Sequence, residues 1–249
     1  MQIDESQVLK IEDKGGLDAT QVGTVSVNPC TAYRMLRDFV SLDAERGDWF
    51  VQNGANSGVG RAAIQLGRLW GYKSINVVRD RPGVEELKRE LGELGATVVV
   101  TEEELMAKGF GERVKEWTDG ARERVRLGLN CVGGKPASAM AKVLSPEAHM
   151  VTYGAMSKQP LQLPAGLLIF KNLVFDGFWV SKWSDANPEE KKRTVEEVLQ
   201  LTREGKFKDM PVQEVPWNLE TKKEEVVEAV QGTLEGFRKG KGVFVFGDT

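Results

Sequence analysis

The sequence predicts a doubly wound α/β fold: a parallel six-stranded sheet with helices on both faces, followed by a short strand–helix–strand tail. Three observations lead there. From residue 47 short apolar runs alternate with amphipathic segments, the pattern of repeated βα units. Six such runs occur, the strand number of a full doubly wound sheet. The chain has 249 residues, enough for one large domain or two small ones without disulfide or metal support.

The elements follow in order. Gly47-Asp48 turns the chain into Trp49-Phe50-Val51, the first strand. Ala63, Leu66, Gly67 and Trp70 share one helical face, and Gly71 ends that helix. Ser74 to Val78 is the second strand. Val84, Leu87, Leu91 and Leu94 line the next helix, which Gly95 stops. Thr97 to Val100 is the third strand. Thr101 and Glu104 then form a capping box for a helix interrupted by Gly109 and Gly111. Val125 to Val132, Met150 to Tyr153 and Leu173 to Val180 read as strands four to six. Asn187 caps and Pro188 opens a helix carrying Val195, Val198, Leu199 and Thr202 on its inner face. The tail comprises a strand at Val212 to Val215, a second capping box at Thr221 and Glu224, and a terminal strand at Gly242 to Phe246.

Composition narrows the chemistry. Thirty-four Lys plus Arg against 37 Asp plus Glu give a net charge of −3, which argues for neither nucleic acid nor a membrane surface. No apolar run approaches the ~18–20 residues that span a bilayer. Two isolated cysteines, Cys30 and Cys131, suit a reducing compartment and form no disulfide framework. One histidine, His149, supports neither a zinc site nor a nucleophile–His–acid triad, so no metal is expected. The amino terminus, MQIDESQVLKIEDKGG, is acidic and polar, unlike a signal or Arg-rich transit peptide.

The turn after the first strand reads Asn53-Gly54-Ala55-Asn56-Ser57-Gly58-Val59-Gly60-Arg61. Small residues there let backbone approach a pyrophosphate at the positive end of the following helix, the dinucleotide (Rossmann) arrangement. Gly58-x-Gly60-x-x-Ala63 satisfies the glycine fingerprint, but the strand end favours the register Ala55-x-Ser57-x-x-Gly60. The second strand then chooses the cofactor. Arg79, Asp80 and Arg81 stand where an acid would accept the ribose of NAD and arginine would favour the 2′-phosphate of NADP. Two guanidinium groups favour NADP, although a one-residue slip would put Asp80 at the NAD position.

The runs VNPCTAYRML (27–36), QNGANSGVG, INVVRDRP, TEEEL, NCVGGK, MVTYGAMSKQP, LLIFKNL and GFWVSKW are collinear from about residue 20 onward. Together they resemble the mitochondrial trans-2-enoyl-thioester reductases, the enoyl-CoA and enoyl-ACP reductases of the medium-chain dehydrogenase/reductase superfamily. The resemblance implies NADPH-dependent reduction of enoyl thioesters in mitochondrial fatty-acid synthesis, a location in the matrix (the cytoplasm being the alternative), and a homodimer joined along the last strand. It places cofactor contacts at Asn28, Asn56, Ser57, Gly58, Val59, Arg79, Asp80, Arg81, Tyr153, Gly154, Ala155, Met156, Phe178, Trp179, Val180 and Lys241. Ala155 stands where relatives often carry a second glycine. Trp179 would wall off the nicotinamide and acyl groove, Tyr153 would line the cofactor pocket, and Tyr33 would pack on the helix leading to the cofactor domain.

The family's proton-donating tyrosine lies in a separate chaperonin-10-like barrel, and none of Tyr33, Tyr72 and Tyr153 occupies that segment. No catalytic residue is therefore assigned. The expected organisation is a lead-in over 1–27, a dinucleotide-binding domain over 28–210, and a segment over 211–249 that returns to such a barrel. Two other readings stay open: a quinone-type oxidoreductase of the same superfamily, and a non-catalytic NADPH-binding or structural subunit. Acyl-chain length and the choice between CoA and acyl carrier protein are not encoded in these motifs.

Overall fold

Two helices, α1 (Ala19–Thr24) and α2 (Asn28–Asp38), lead into the sheet. Asp18 caps α1 in a full capping box with Gln21, and Pro29 opens α2, where a missing N–H costs nothing. The computed structural model describes residues 8–12, 15–218, 220–235 and 240–246. The first seven residues of the acidic amino terminus lie outside this set.

The sheet is built from β1 (Trp49–Asn53), β2 (Lys73–Val78), β3 (Val98–Thr101), β4 (Val125–Asn130), β5 (His149–Thr152) and β6 (Val174–Gly177). Its order is β3-β2-β1-β4-β5-β6, and every pair is parallel. Between the strands run α3 (Gly58–Leu69), α4 (Val84–Leu94), α5 (Glu102–Met106), α6 (Phe110–Trp117), α7 (Gly134–Val143) and α8 (Ala165–Ile169). After β6 come α9 (Val180–Ala186) and α10 (Pro188–Arg203). The tail is β7 (Val212–Trp217), α11 (Lys223–Glu235) and β8 (Lys241–Phe246), with β7 and β8 paired in parallel as a separate two-stranded sheet.

Strand alternation sorts side chains to two faces. Phe50, Leu127, Leu129 and Val151 pack with α2, α3 and α10 on one face. Trp49, Val51, Ile75, Val77 and Met150 pack with α5, α6 and α7 on the other. Both faces are covered, so strands such as β1 are buried along their whole length.

Several boundaries differ from expectation, each for a local reason. The helix after β3 is two helices: the Thr101–Glu104 box opens α5, but Gly109, at φ 89°, restarts the chain as α6. Asn187 does not cap α10 with its side chain, which instead donates back to the Trp183 carbonyl at 2.8 Å. The sixth strand is half its expected length. The Phe178 N–H makes the last ladder bond, to the Thr152 carbonyl, after which the Phe178 ring turns onto Phe39 at 5.8 Å. The edge is thus four residues with Asp176 inside it, its carboxylate accepting from His149 Nδ1 at 2.8 Å, rather than a long apolar run.

Candidate functional site

Strand order reverses between β1 and β4. The loop leaving β1 enters α3 on one face and the loop leaving β4 enters α7 on the other, opening a crevice at the carboxyl edge. A groove of about 1840 Å³ lies there, bordered by Asn28, the Gly54–Gly58 turn, Arg79, Arg81 and, from the tail, Lys241.

Sequence forces the turn. Ser57 is extended, and its hydroxyl accepts the Gly60 N–H at 3.1 Å as the N-cap of α3. A Cβ on Gly60 would stand 2.5 Å from the Ala55 carbonyl oxygen, so only glycine lets α3 sit this close to the strand exit. That close approach belongs to the third fingerprint position and selects the register Ala55-x-Ser57-x-x-Gly60. Gly54, at φ 59°, takes a left-handed conformation against the Cys131 thiol, 2.6 Å from where a Cβ would lie.

Beneath the turn lies a buried polar ladder that the sequence reading missed. Gln52 Nε2 donates to the Gly60 carbonyl at 3.0 Å and to Asn76 Oδ1 at 2.7 Å. Asn53 Nδ2 donates to Asn130 Oδ1 at 2.8 Å, and Asn53 Oδ1 accepts the Cys131 N–H at 2.8 Å. Asn130 Oδ1 also accepts the Gly133 N–H at 3.1 Å. The ends of β1, β2 and β4 are thereby held in one rigid frame. The available signal was polar residues closing otherwise apolar strands.

Charge is distributed along the groove. Arg79 and Arg81 both line it, whereas Asp80 between them is exposed and accepts the Glu103 N–H at 3.1 Å. Arg61 pairs with Glu90 at 2.8 Å and donates to the Asn56 carbonyl at 3.2 Å. The Arg61 hydrogen bond to Glu90 holds that carboxyl below its ordinary range. Glu102, another residue not singled out from sequence, faces the same groove. Burial pushes its carboxyl upward; Arg79 opposes the shift and Asp80 adds to it.

The expected contacts divide in two. Asn28, Asn56, Ser57, Gly58, Arg79, Arg81, Met156 and Lys241 border the groove together. Val59, in the first turn of α3, is buried in the core, and Gly154 lies against Cys131. Ala155 is exposed on the loop after β5. Phe178 packs on Phe39, Trp179 is 69% exposed, and Val180 begins α9. The Tyr153 hydroxyl is buried without a hydrogen bond of normal length. Burial and the neighbouring Cys131 thiol hold it well above the usual phenol range. Tyr33 serves packing: its ring meets Trp70 edge-on at 5.0 Å and its hydroxyl donates to Glu197. Burial and that carboxylate push it up to about 12. Cys30, buried under α10, is pushed up to about 11 and is an inert core thiol. Among the described residues no helix is long and apolar enough to cross a membrane.

Parallel order 3-2-1-4-5-6, a glycine turn into a helix N-terminus and arginines at the second strand exit define a dinucleotide-binding sheet of dehydrogenase type. The sequence pattern of the zinc-binding dehydrogenase family matches residues 58–205. A mitochondrial enoyl-(acyl-carrier-protein) reductase from Yarrowia lipolytica is 50% identical over 210 residues, 84% of this chain and 54% of that protein. A structure of an Etr1p–NADP–crotonyl-CoA complex superposes with a TM-score of 0.85 at 40% identity, covering 92% of this chain and 62% of that one. A mitochondrial 2-enoyl thioester reductase Etr1p/Etr2p heterodimer from Candida tropicalis gives 0.84 at 41% identity, covering 89% and 61%. The chain therefore belongs to the zinc-binding dehydrogenase family, and within it is similar to mitochondrial enoyl-thioester reductases. It spans about half the length of the curated relatives it matches. The residues present do not fit the metal in the family's name: among those described, no three His, Cys, Asp or Glu side chains gather around a possible ion.

Proposed function

We propose that this chain is the NADPH-binding part of a mitochondrial trans-2-enoyl-thioester reductase. The observation that carries this reading is the placement of Arg79 and Arg81 in the groove entered by the α3 N-terminus. The first turn of α3 would hold the pyrophosphate, and the two guanidinium groups would hold the 2′-phosphate, with Lys241 closing the tail side. Room supports it too, since the groove exceeds the size of ordinary small-molecule pockets. Once bound, the dihydronicotinamide supplies hydride to the β-carbon of the enoyl thioester. The chain's part is to fix the cofactor on a rigid edge; no side chain at that edge is assigned as the proton donor. The bound partners of the relatives, NADP and crotonyl-CoA, support this cofactor and substrate class.

Under this reading residues 1–27 are a lead-in, 28–210 the cofactor domain and 211–249 the segment that rejoins a catalytic barrel. Two copies would pair along β6, where Val174 and the neighbouring Leu168, Ile169 and Phe170 are exposed. The fitting compartment is the mitochondrial matrix.

The test is single-turnover NADPH oxidation with crotonyl-CoA. The 249-residue chain should bind NADPH with little oxidation, because positioning and a general acid together account for many orders of magnitude in rate. A fusion placing the upstream segment of the Yarrowia reductase before it should turn over. A fusion that folds and binds NADPH but leaves crotonyl-CoA unreduced would overturn the reading.

A further inference from the structure

The exit of β2 faces the start of α5, and the sheet dictates which residues meet. In the parallel register Val78 pairs with Thr101 as the last rung, so Arg79 and Glu102 leave the ladder as neighbours, close enough for the Arg79 charge to act on the Glu102 carboxyl. The Asp80 carboxylate, accepting the Glu103 N–H at 3.1 Å, fastens the two segments side by side. Both Arg79 and Glu102 border the groove, and Glu102 is half-buried. Its position does not depend on its own charge. The Thr101 hydroxyl accepts the Glu104 N–H at 3.1 Å, and Glu104 accepts the Thr101 N–H at 2.7 Å. Lys88 reaches over from α4 to the same Glu104 carboxylate at 3.1 Å. The α5 terminus is thus built by its neighbours, leaving the Glu102 carboxylate beside the arginine that would receive a phosphate.

A carboxylate so placed does two things. It shares the Arg79 charge, and it repels an incoming dianion across a partly desolvated gap. A nucleotide bearing only ribose hydroxyls meets no such repulsion and can donate a hydrogen bond to it. Resting on the NADPH reading above, we propose that Glu102 is a specificity-determining residue that lowers the chain's preference for 2′-phosphorylated nucleotide. It offsets part of what Arg79 and Arg81 contribute, keeping the phosphorylated cofactor exchangeable. Desolvation, which already disfavours the charged form of this carboxyl, is consistent with a group lodged against the groove wall.

Titration calorimetry with NADPH and with NADH, on the parent chain and on Glu102→Gln, Glu102→Ala and Glu102→Asp, tests this. Both neutral variants should bind NADPH about three- to tenfold more tightly and NADH no more tightly, raising the affinity ratio. Glu102→Asp keeps the charge and should keep a ratio within about twofold of the parent. Added salt should narrow the gap between parent and neutral variants. A merely structural role would weaken both nucleotides together and leave their ratio alone. An unchanged or lowered ratio in the neutral variants, with both nucleotides still bound, would overturn this inference only. Binding of neither nucleotide by the folded parent would overturn it together with the NADPH reading.

Discussion

The β1–β6 sheet and the β7–β8 pair are both parallel and both rich in large apolar residues, yet they bury them very differently. Phe50 in β1 is fully enclosed, and Leu127, Leu129 and Met150 beside it are equally inaccessible. In the tail, Trp217 is 37% exposed and Phe246 73%, although their rings touch at 5.7 Å. Among the described residues of α11 only Ala229 is buried. Parallel strands are ordinarily covered on both faces, and a two-stranded sheet is marginal by itself. The six-stranded sheet therefore carries its own stability and the rigid edge that holds the groove. The tail supplies a wall, with Lys241 at the groove's rim, on a scaffold suited to packing against further structure.

Truncation of one aromatic in each region should expose this contrast most strongly. Phe50→Ala should lose about 3–5 kcal/mol in denaturant unfolding, because it empties a core site between α3 and the sheet. Trp217→Ala should lose less than ~1 kcal/mol and leave the midpoint nearly in place. Similar losses at both positions would break the distinction.

A smaller effect is expected inside the polar frame. Asn130→Ala strands the Asn53 amide and the Gly133 N–H in a buried setting, costing about 1–3 kcal/mol. Since the same bonds fix the groove floor, nucleotide affinity should fall in parallel with stability. Hydrogen exchange should show the Gly54–Gly60 turn opening more readily while β7 and β8 are unaffected.

The smallest effect is electrostatic. Glu123 is pushed up by burial, but Lys73 at 2.5 Å and the Trp49 indole N–H at 2.7 Å outweigh that and hold its carboxyl below the ordinary range. A depressed folded-state pKa contributes stability above the unfolded value of about 4.3, and that contribution disappears as pH falls through the folded value. Glu123→Gln should thus be less stable than the parent by about 1 kcal/mol or less near pH 7, discounted because Lys73 is 41% exposed. The two should draw together progressively as pH falls from about 4.3 through the lowered folded value. A difference that persists there would assign the loss to packing instead.

Much of the sheet was legible because its punctuation is local. Gly71 and Gly95 take positive φ where helices end, and Thr101 accepts the Glu104 N–H that their spacing predicts. The sixth strand was overread because Phe178 and Trp179 continue an apolar run after the backbone has left the ladder; Phe178 packs on a helix 139 residues earlier in the chain, at Phe39. The groove was half legible. Its glycine turn and arginines lie in contiguous motifs, whereas the Asn53–Asn130 bond joins residues 77 apart and Glu102 is brought near Arg79 only by the Val78–Thr101 strand pairing. No periodicity reports contacts of that kind.

The most direct measurement of the central claim is titration calorimetry of NADPH and NADH on the parent chain and on Arg79→Ala. Charge-assisted contact with a 2′-phosphate contributes about 1.5–3 kcal/mol, so the parent should favour NADPH by about ten- to hundredfold. Arg79→Ala should lose most of that preference while binding NADH as before. Equal affinities in the parent, or an Arg79→Ala variant that keeps the full preference, would contradict the assignment of this groove to NADPH.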